Sequence, residues 1–204
     1  MFALEGVLAI LVAVVVLDFS AYVAHLSLHK LPWLWRMHVV HHSDPAIDAT
    51  TALRQHPFEG VVRFTFTAAA AWSLGVAPEV VALYRLASSL NSVLEHANIR
   101  VPRSLDRLFV TFFVTPDMHK VHHSRERHET DSNYANLLSL FDRLFGTFTP
   151  SARASAVRYG LDGFDATQYQ SVAGAFLLPL RRQPQRQTGV TAAIKTASRF
   201  PRAE

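Results

Sequence analysis

The stretch FALEGVLAILVAVVVLDFSAYVAHLSLH, residues 2–29, decides how the rest of the chain is read. Phe2 to Leu17 is apolar except for Glu5. Extended through DFSAYVAH, it is long enough for a bilayer core, which takes about 20 helical residues. A secretory signal would begin with basic residues and end on an A-x-A cleavage site; this stretch has neither. It predicts a membrane helix. Its polar end carries His25 and His29, four residues apart and therefore on one helical face.

Working outward, half of the 204 residues are hydrophobic and 18% are charged. That charge is below the roughly 25% of an average soluble domain. Together with the clustering of apolar residues, it points to a membrane protein. With no cysteine in the chain, disulfides, thiolate zinc sites and iron–sulfur clusters are excluded, and any metal must be held by histidines and carboxylates. The net charge of +4 comes with no nucleic-acid-reading motif, so nucleic acid is not expected as a partner. Much of the basicity lies in the last residues, Arg181 to Arg202, where it suits anionic lipid headgroups.

A second apolar block runs over Gly60–Leu74 and Val80–Val93 and is interrupted by GVAPE (75–79). It predicts a helical hairpin, with Pro78 in the first turn of the second arm. Arg85 falls inside that arm and is read as a side chain snorkelling from a helix end, with a partner inside the bundle as the alternative. Basic residues flank the histidine-rich segments, whereas the 75–79 turn carries only Glu79. The positive-inside rule therefore puts the histidines on the cytoplasmic side. DRLFVTF (106–112) and DRLFGTF (142–148) are near copies with interfacial, amphipathic character.

Histidine is the compositional outlier, with eleven in the chain and five between His25 and His42. HVVHH places His38 beside His41 and His42, and HKVHH repeats the pattern with His119, His122 and His123. Thr115, Pro116 and Asp117 form a good helix start for the second copy. Adjacent histidines on a helix point about 100° apart, so each H-x-x-H-H can serve two neighbouring metals. A lone histidine on a helix is ordinarily structural, but eight in three clusters at ligand spacing exceed the needs of one tetrahedral site. They suit two ions of an imidazole-preferring metal: iron, zinc or copper. His96 is expected as a ninth ligand. His56 is a further ligand candidate, or a neighbour to the ligands, or structural; His128, in a polar segment, is expected not to ligate. Imidazole ligands need acceptors for their other nitrogen. Asp18, Tyr22, Glu59, Asn91, Glu95, Glu129, Asp131 and Asn133 are candidates, each equally readable as a cap or a surface group.

The order H-x-x-x-H (25–29), H-x-x-H-H (38–42), His96 and H-x-x-H-H (119–123) resembles the fatty acid hydroxylase/sterol desaturase superfamily. So do the surrounding words WRMHVVHHSDPAIDATTALRQHPFE, EHANIRVP and TPDMHKVHHSRERHETDSNYANLLSLFDRLFGTF. The resemblance covers about residues 18–150. It implies an all-α fold: an integral membrane helical bundle under a cytosolic histidine-rich helical cap with a dinuclear metal site. It implies two iron ions held by His25, His29, His38, His41, His42, His96, His119, His122 and His123, with zinc as a substitute in purified or recombinant protein. It also implies O2 as co-substrate and an external electron donor. One departure is Ser92, which stands where fatty acid 2-hydroxylases carry another histidine.

The expected domains are 1–17 as the first part of the first membrane helix and 18–150 as the hydroxylase/desaturase-like domain. An interfacial segment over 151–182 and a disordered basic tail over 183–204 follow. No glycine-rich nucleotide loop is present, so electrons are expected from a separate reductase. The expected function is O2-dependent hydroxylation or desaturation of a fatty acyl or sterol-like lipid in a membrane, the inner membrane if the source is bacterial. The alternatives are a carotenoid hydroxylase and a non-enzymatic membrane protein that binds or transports metal.

Overall fold

Proline and glycine set the helix boundaries in the computed structural model, which describes residues 6–182. The expected disordered tail, 183–204, lies outside the described residues. Helix α1 (Gly6–Lys30) runs unbroken through Asp18. It stops because Leu31, held extended by the following proline, cannot continue the helix; Pro32 then opens α2 (Pro32–His42). A short 3₁₀ turn at Ala49–Leu53 is closed by a capping box between Asp48 and Thr51. The predicted hairpin forms as α3 (Pro57–Leu74) and α4 (Pro78–His96). Gly75 sits at φ 63° and ends α3 in the left-handed conformation, which glycine adopts without steric cost. Shorter helices follow: α5 (Arg103–Phe109), α6 (Pro116–His122), α7 (Arg127–Thr130), α8 (Leu140–Leu144), α9 (Thr167–Gln170) and α10 (Val172–Leu177). The described residues contain no β-strand, only the isolated antiparallel bridge Phe113–Leu138. The all-α expectation therefore agrees with the structure.

Helix α1 is the axis of the molecule and packs along α2, α3 and α4. Its lower half is buried and its upper half exposes Val7, Leu8, Ile10 and Leu11. Among the described residues, α1 alone is both long and apolar enough to cross a membrane. The hairpin arms nonetheless present large apolar side chains outward, including Phe64 and Trp72 on α3 and Leu83, Leu86 and Leu90 on α4. Two apolar clusters flank the histidine-bearing ends. Tyr22, Met118, Tyr134 and Phe141 form one. Trp35, Val39, Phe164 and Leu178 form the other, so the 151–182 segment folds back against α2.

Asp18 is the polar hub of this packing. Fully buried, its carboxylate accepts from the backbone N–H of Leu137 (3.0 Å) and Leu138 (2.9 Å), from Tyr84 Oη (3.1 Å) and from Asn136 Nδ2 (3.1 Å). It thereby ties α1 to α4 and to the 136–138 loop. Asn133, at φ 55°, clamps a second junction: Nδ2 donates to Met118 O (3.0 Å) and Thr149 O (2.9 Å), and Oδ1 accepts from Thr149 N (2.8 Å). Arg54 fastens the end of α2 by donating to Val40 O (2.9 Å) and Ser43 Oγ (3.0 Å).

Replacing Asp18 by alanine strips four donors of their buried acceptor. Asp18→Ala is expected to destabilise the fold by about 3 kcal/mol or more, with Asp18→Asn intermediate because it keeps one acceptor oxygen. Unfolding in detergent, followed by circular dichroism, checks this.

Candidate metal centre

Nine buried histidines meet where α1, α2, α4 and α6 end. They form two groups. His25, His29, His38, His42 and His122 make the first; His41, His96, His119 and His123 make the second. Within each group one nitrogen per histidine lies within 4.8 Å of all the others. Helical geometry divides the adjacent pairs. His42 and His122 enter the first group, while His41 and His123, turned about 100° away, enter the second. Each H-x-x-H-H segment thus faces both groups. The start of α6 forms as its sequence indicates, with Thr115 Oγ1 accepting from Met118 N at 3.2 Å.

Hydrogen bonds fix the imidazole tautomers. His25 Nδ1 lies 2.9 Å from Tyr134 O, His41 Nδ1 3.3 Å from Arg54 O, His96 Nδ1 2.6 Å from Ser92 O and His122 Nδ1 2.6 Å from Ser132 O. A carbonyl only accepts, so each of these Nδ1 atoms carries the proton, and in the neutral ring Nε2 is left with a lone pair. His38 Nδ1 is held the same way by the buried carboxylate of Glu59, at 3.0 Å from Oε1. The lone pairs then face one another: His41 and His96 at 3.1 Å, and His25 and His38 at 3.2 Å, Nε2 to Nε2. His122 Nε2 is buried with no hydrogen-bond partner among the described residues.

Opposed lone pairs repel unless a cation lies between them. Protons are poorly suited to the task. Burial drives His41, His42, His119 and His123 well below the usual histidine range, and His122 down to about 3. A metal ion suits the arrangement. In the second group, Nε2 atoms are separated by 3.1 Å (His96–His41), 3.1 Å (His96–His123), 3.0 Å (His119–His96) and 3.1 Å (His123–His119). A tetrahedral ion with bonds of about 2.0–2.1 Å sets its nitrogens roughly 3.3 Å apart. The donor set therefore fits a metal of the imidazole-preferring kind.

Carboxylates border both groups. Glu59 bridges His38 and Arg63, with Arg63 Nε at 2.9 Å. Asp131 Oδ1 lies 3.5 Å from His29 Nδ1 and is flanked by Lys30 and Arg127. Glu95 Oε1 lies 3.8 Å from His119 Nε2, and its other oxygen accepts from Asn91 Nδ2 at 3.1 Å. The other sequence candidates have different tasks. Asp18 and Asn133 brace the fold, and Tyr22 Oη pairs with Thr147 Oγ1 at 3.0 Å. His56 lies in neither group: its Nδ1 accepts from Phe58 N at 3.2 Å and caps α3. His128 is exposed and also in neither group. Ser43 donates to Val40 O at the end of α2, and Ser124 donates to Glu129 Oε2 at 2.6 Å.

The carbonyls of Arg54, Ser92, Ser132 and Tyr134 escaped the sequence reading because a backbone acceptor has no side-chain signature. Arg63 was legible: it stands four residues after Glu59, the spacing of an i,i+4 pair.

A cavity of about 300 Å³ opens beside the second group, lined by His25, His41, His96 and His119 at one end and by side chains of α3 and α4 beyond.

Comparison with known proteins identifies the family. The family model described as fatty acid hydroxylase matches residues 10–147. Alkylglycerol monooxygenase of Danio rerio is 34% identical over 144 residues, which is 71% of this chain and 31% of the relative. Ornithine lipid hydroxylase of Rhizobium tropici is 28% identical over 155 residues, 76% of this chain and 46% of the relative. Cholesterol 25-hydroxylase-like protein of Danio rerio is 34% identical over 133 residues, 64% of this chain and 51% of the relative. The chain thus spans about a third to a half of the length of these relatives. No solved structure matches. With the family model covering well over half of it, the chain belongs to the fatty acid hydroxylase family.

Proposed function

We propose that this protein is a membrane-embedded, O2-dependent lipid hydroxylase with two irons held by its nine clustered histidines. The observation that carries the proposal is the pair of all-histidine groups at the inner end of a cavity, beneath helices with apolar outer faces. The relatives named as hydroxylases and monooxygenases of lipids support it.

On this reading α1 and the α3–α4 hairpin lie in the bilayer, with the histidines at its cytoplasmic edge; the apolar length of α1 and the outward apolar side chains of α3 and α4 support it. Iron in such a site supplies oxygen activation: O2, two electrons from a separate reductase and two protons convert a C–H bond to C–OH and release water. The chain does the rest. His25, His29, His38, His42 and His122 would hold one ion; His41, His96, His119 and His123 would hold the other. Carbonyls fix the rings so that Nε2 faces inward, and Glu59 offsets positive charge beside His38. Glu95, on the cavity wall beside His119, is the carboxyl placed to hand on a proton at Oε1. Burial of the histidine layer keeps bulk water from the reacting centre.

Purified full-length protein is expected to carry about two irons per chain, as its two nitrogen-only donor groups imply. His122→Ala should lose the ion of the first group and His96→Ala that of the second, each leaving about one. Elemental analysis beside circular dichroism checks this; a folded double variant that still held two irons would sink the assignment.

Glu59→Gln keeps the shape of the side chain but removes its charge. It is expected to weaken metal retention by about 10- to 100-fold while the protein stays folded. Chelator competition on the purified variant measures it. In cells, the intact protein should yield a lipid product heavier by one oxygen, read by mass spectrometry, and the His122→Ala variant should yield none.

A further inference from the structure

The cavity is more polar than an acyl chain requires. Along α4, Arg85, Ser88, Ser92 and His96 follow one another at helical spacing, and all four line it. From the facing side, α3 contributes Arg63 and Thr67. The two arginines differ in state. Arg63 is committed to Glu59, with Nε at 2.9 Å. Arg85 makes no hydrogen bond or ion pair among the described residues. Its immediate neighbour Tyr84 is turned away to Asp18. Glu95, the carboxylate on the same wall, lies ten residues further along, at the histidine end of the helix.

An arginine on a helix whose outer face carries exposed Leu83, Leu86 and Leu90 sits where a lone charge is expensive. Such a cation calls for an anionic counterpart, and its planar fork of donors suits a phosphate or a carboxylate. We propose that Arg85 is the anchor for the anionic group of the lipid substrate, which enters the cavity between α3 and α4. The proposal rests on the lipid-oxidising reading of the same site and specifies what that lipid must carry. Eleven residues separate Arg85 from His96, an axial rise of about 16 Å. The anion is thus held far from the bond under attack, and its binding orients the substrate along the cavity. The hydroxyls of Ser88 and Ser92 lie between the two ends. Exposed Phe64 on α3 and Leu90 on α4 leave an apolar flank along which a hydrocarbon chain can run into the bilayer.

The test is lipid binding, read without turnover, on purified full-length protein in an uncharged detergent, with metal content measured on the same samples. The probes are 1-palmitoyl lysophosphatidic acid, palmitate, neutral 1-palmitoylglycerol and inorganic phosphate. The two anionic lipids are expected to bind about tenfold more tightly than the neutral one. Arg85→Gln should bring all three within about twofold, Arg85→Lys should keep most of the preference, and Arg107→Gln on the exposed face of α5 should change nothing. Equal binding of charged and neutral lipids by the intact protein overturns the proposal. So does a preference that survives Arg85→Gln. Inorganic phosphate competing as well as lysophosphatidic acid would mark a phosphate site and also overturn it. Metal-free samples or a missing product would count against the oxygenase reading alone, because binding is scored separately.

Discussion

The interaction on which the rest of the structure depends is the confrontation of imidazole lone pairs in a dry interior. His41 and His96 turn Nε2 toward each other at 3.1 Å, as do His25 and His38 at 3.2 Å, while their Nδ1 atoms are committed to acceptors. Without a cation this arrangement is repulsive, and burial resists supplying that cation as a proton. The protein must therefore hold the rings in place by other contacts. Asp18 binds the 136–138 loop to α1, Asn133 ties Met118 in the first turn of α6 to Thr149, and Arg54 fastens the end of α2. Together they hold the ligand-bearing helices α1, α2 and α6 to neighbouring segments of the chain.

A second constraint follows from the helix itself. Because neighbouring residues diverge by about 100°, the doublets His41–His42 and His122–His123 cannot serve one point. They divide between the two groups, so α2 and α6 each carry donors to both. The groups are in this sense one mechanical unit: a shift of either helix disturbs both. Glu59 and Asp131 touch the first group and Glu95 the second, so anionic charge is spread over the layer rather than placed at one metal.

Much of this was legible in the sequence, for local reasons. Ligand spacing within a helix, the Thr115–Pro116 start of α6 and the Gly75–Pro78 break between the hairpin arms are encoded within a few residues. What was not legible depends on contacts between distant parts of the chain. In the sequence Asp18 is one candidate acceptor for a ligand histidine, yet its partners lie 66 to 120 residues away and none is a histidine. His56 is open there between a ligand and a structural role, and only its place in the fold shows that it caps α3. The acceptors that set the tautomers of His25 and His122 are the carbonyls of Tyr134 and Ser132, whose identity as side chains says nothing about that role. The pattern gave the donors, whereas tertiary packing decided which atom of each donor faces inward.

The placement of the cavity completes the chain of reasoning. Helices α3 and α4 present large apolar side chains outward and polar ones, with Arg63 and Arg85, toward the cavity between them. A soluble protein would reverse that pattern, and a transport path would carry its ligands through the apolar runs. Here the histidines stand only at the helix ends, so a molecule moving between the arms meets them last. The proposed lipid substrate fits that order of contact: its charged group pairs with Arg85 partway along α4, and the bond to be oxidised lies at the histidine end. Helix α1 carries both the apolar run and His25 with His29. Under the proposed function the metal groups are thus built partly on the helix that enters the membrane, close to the lipid they oxidise.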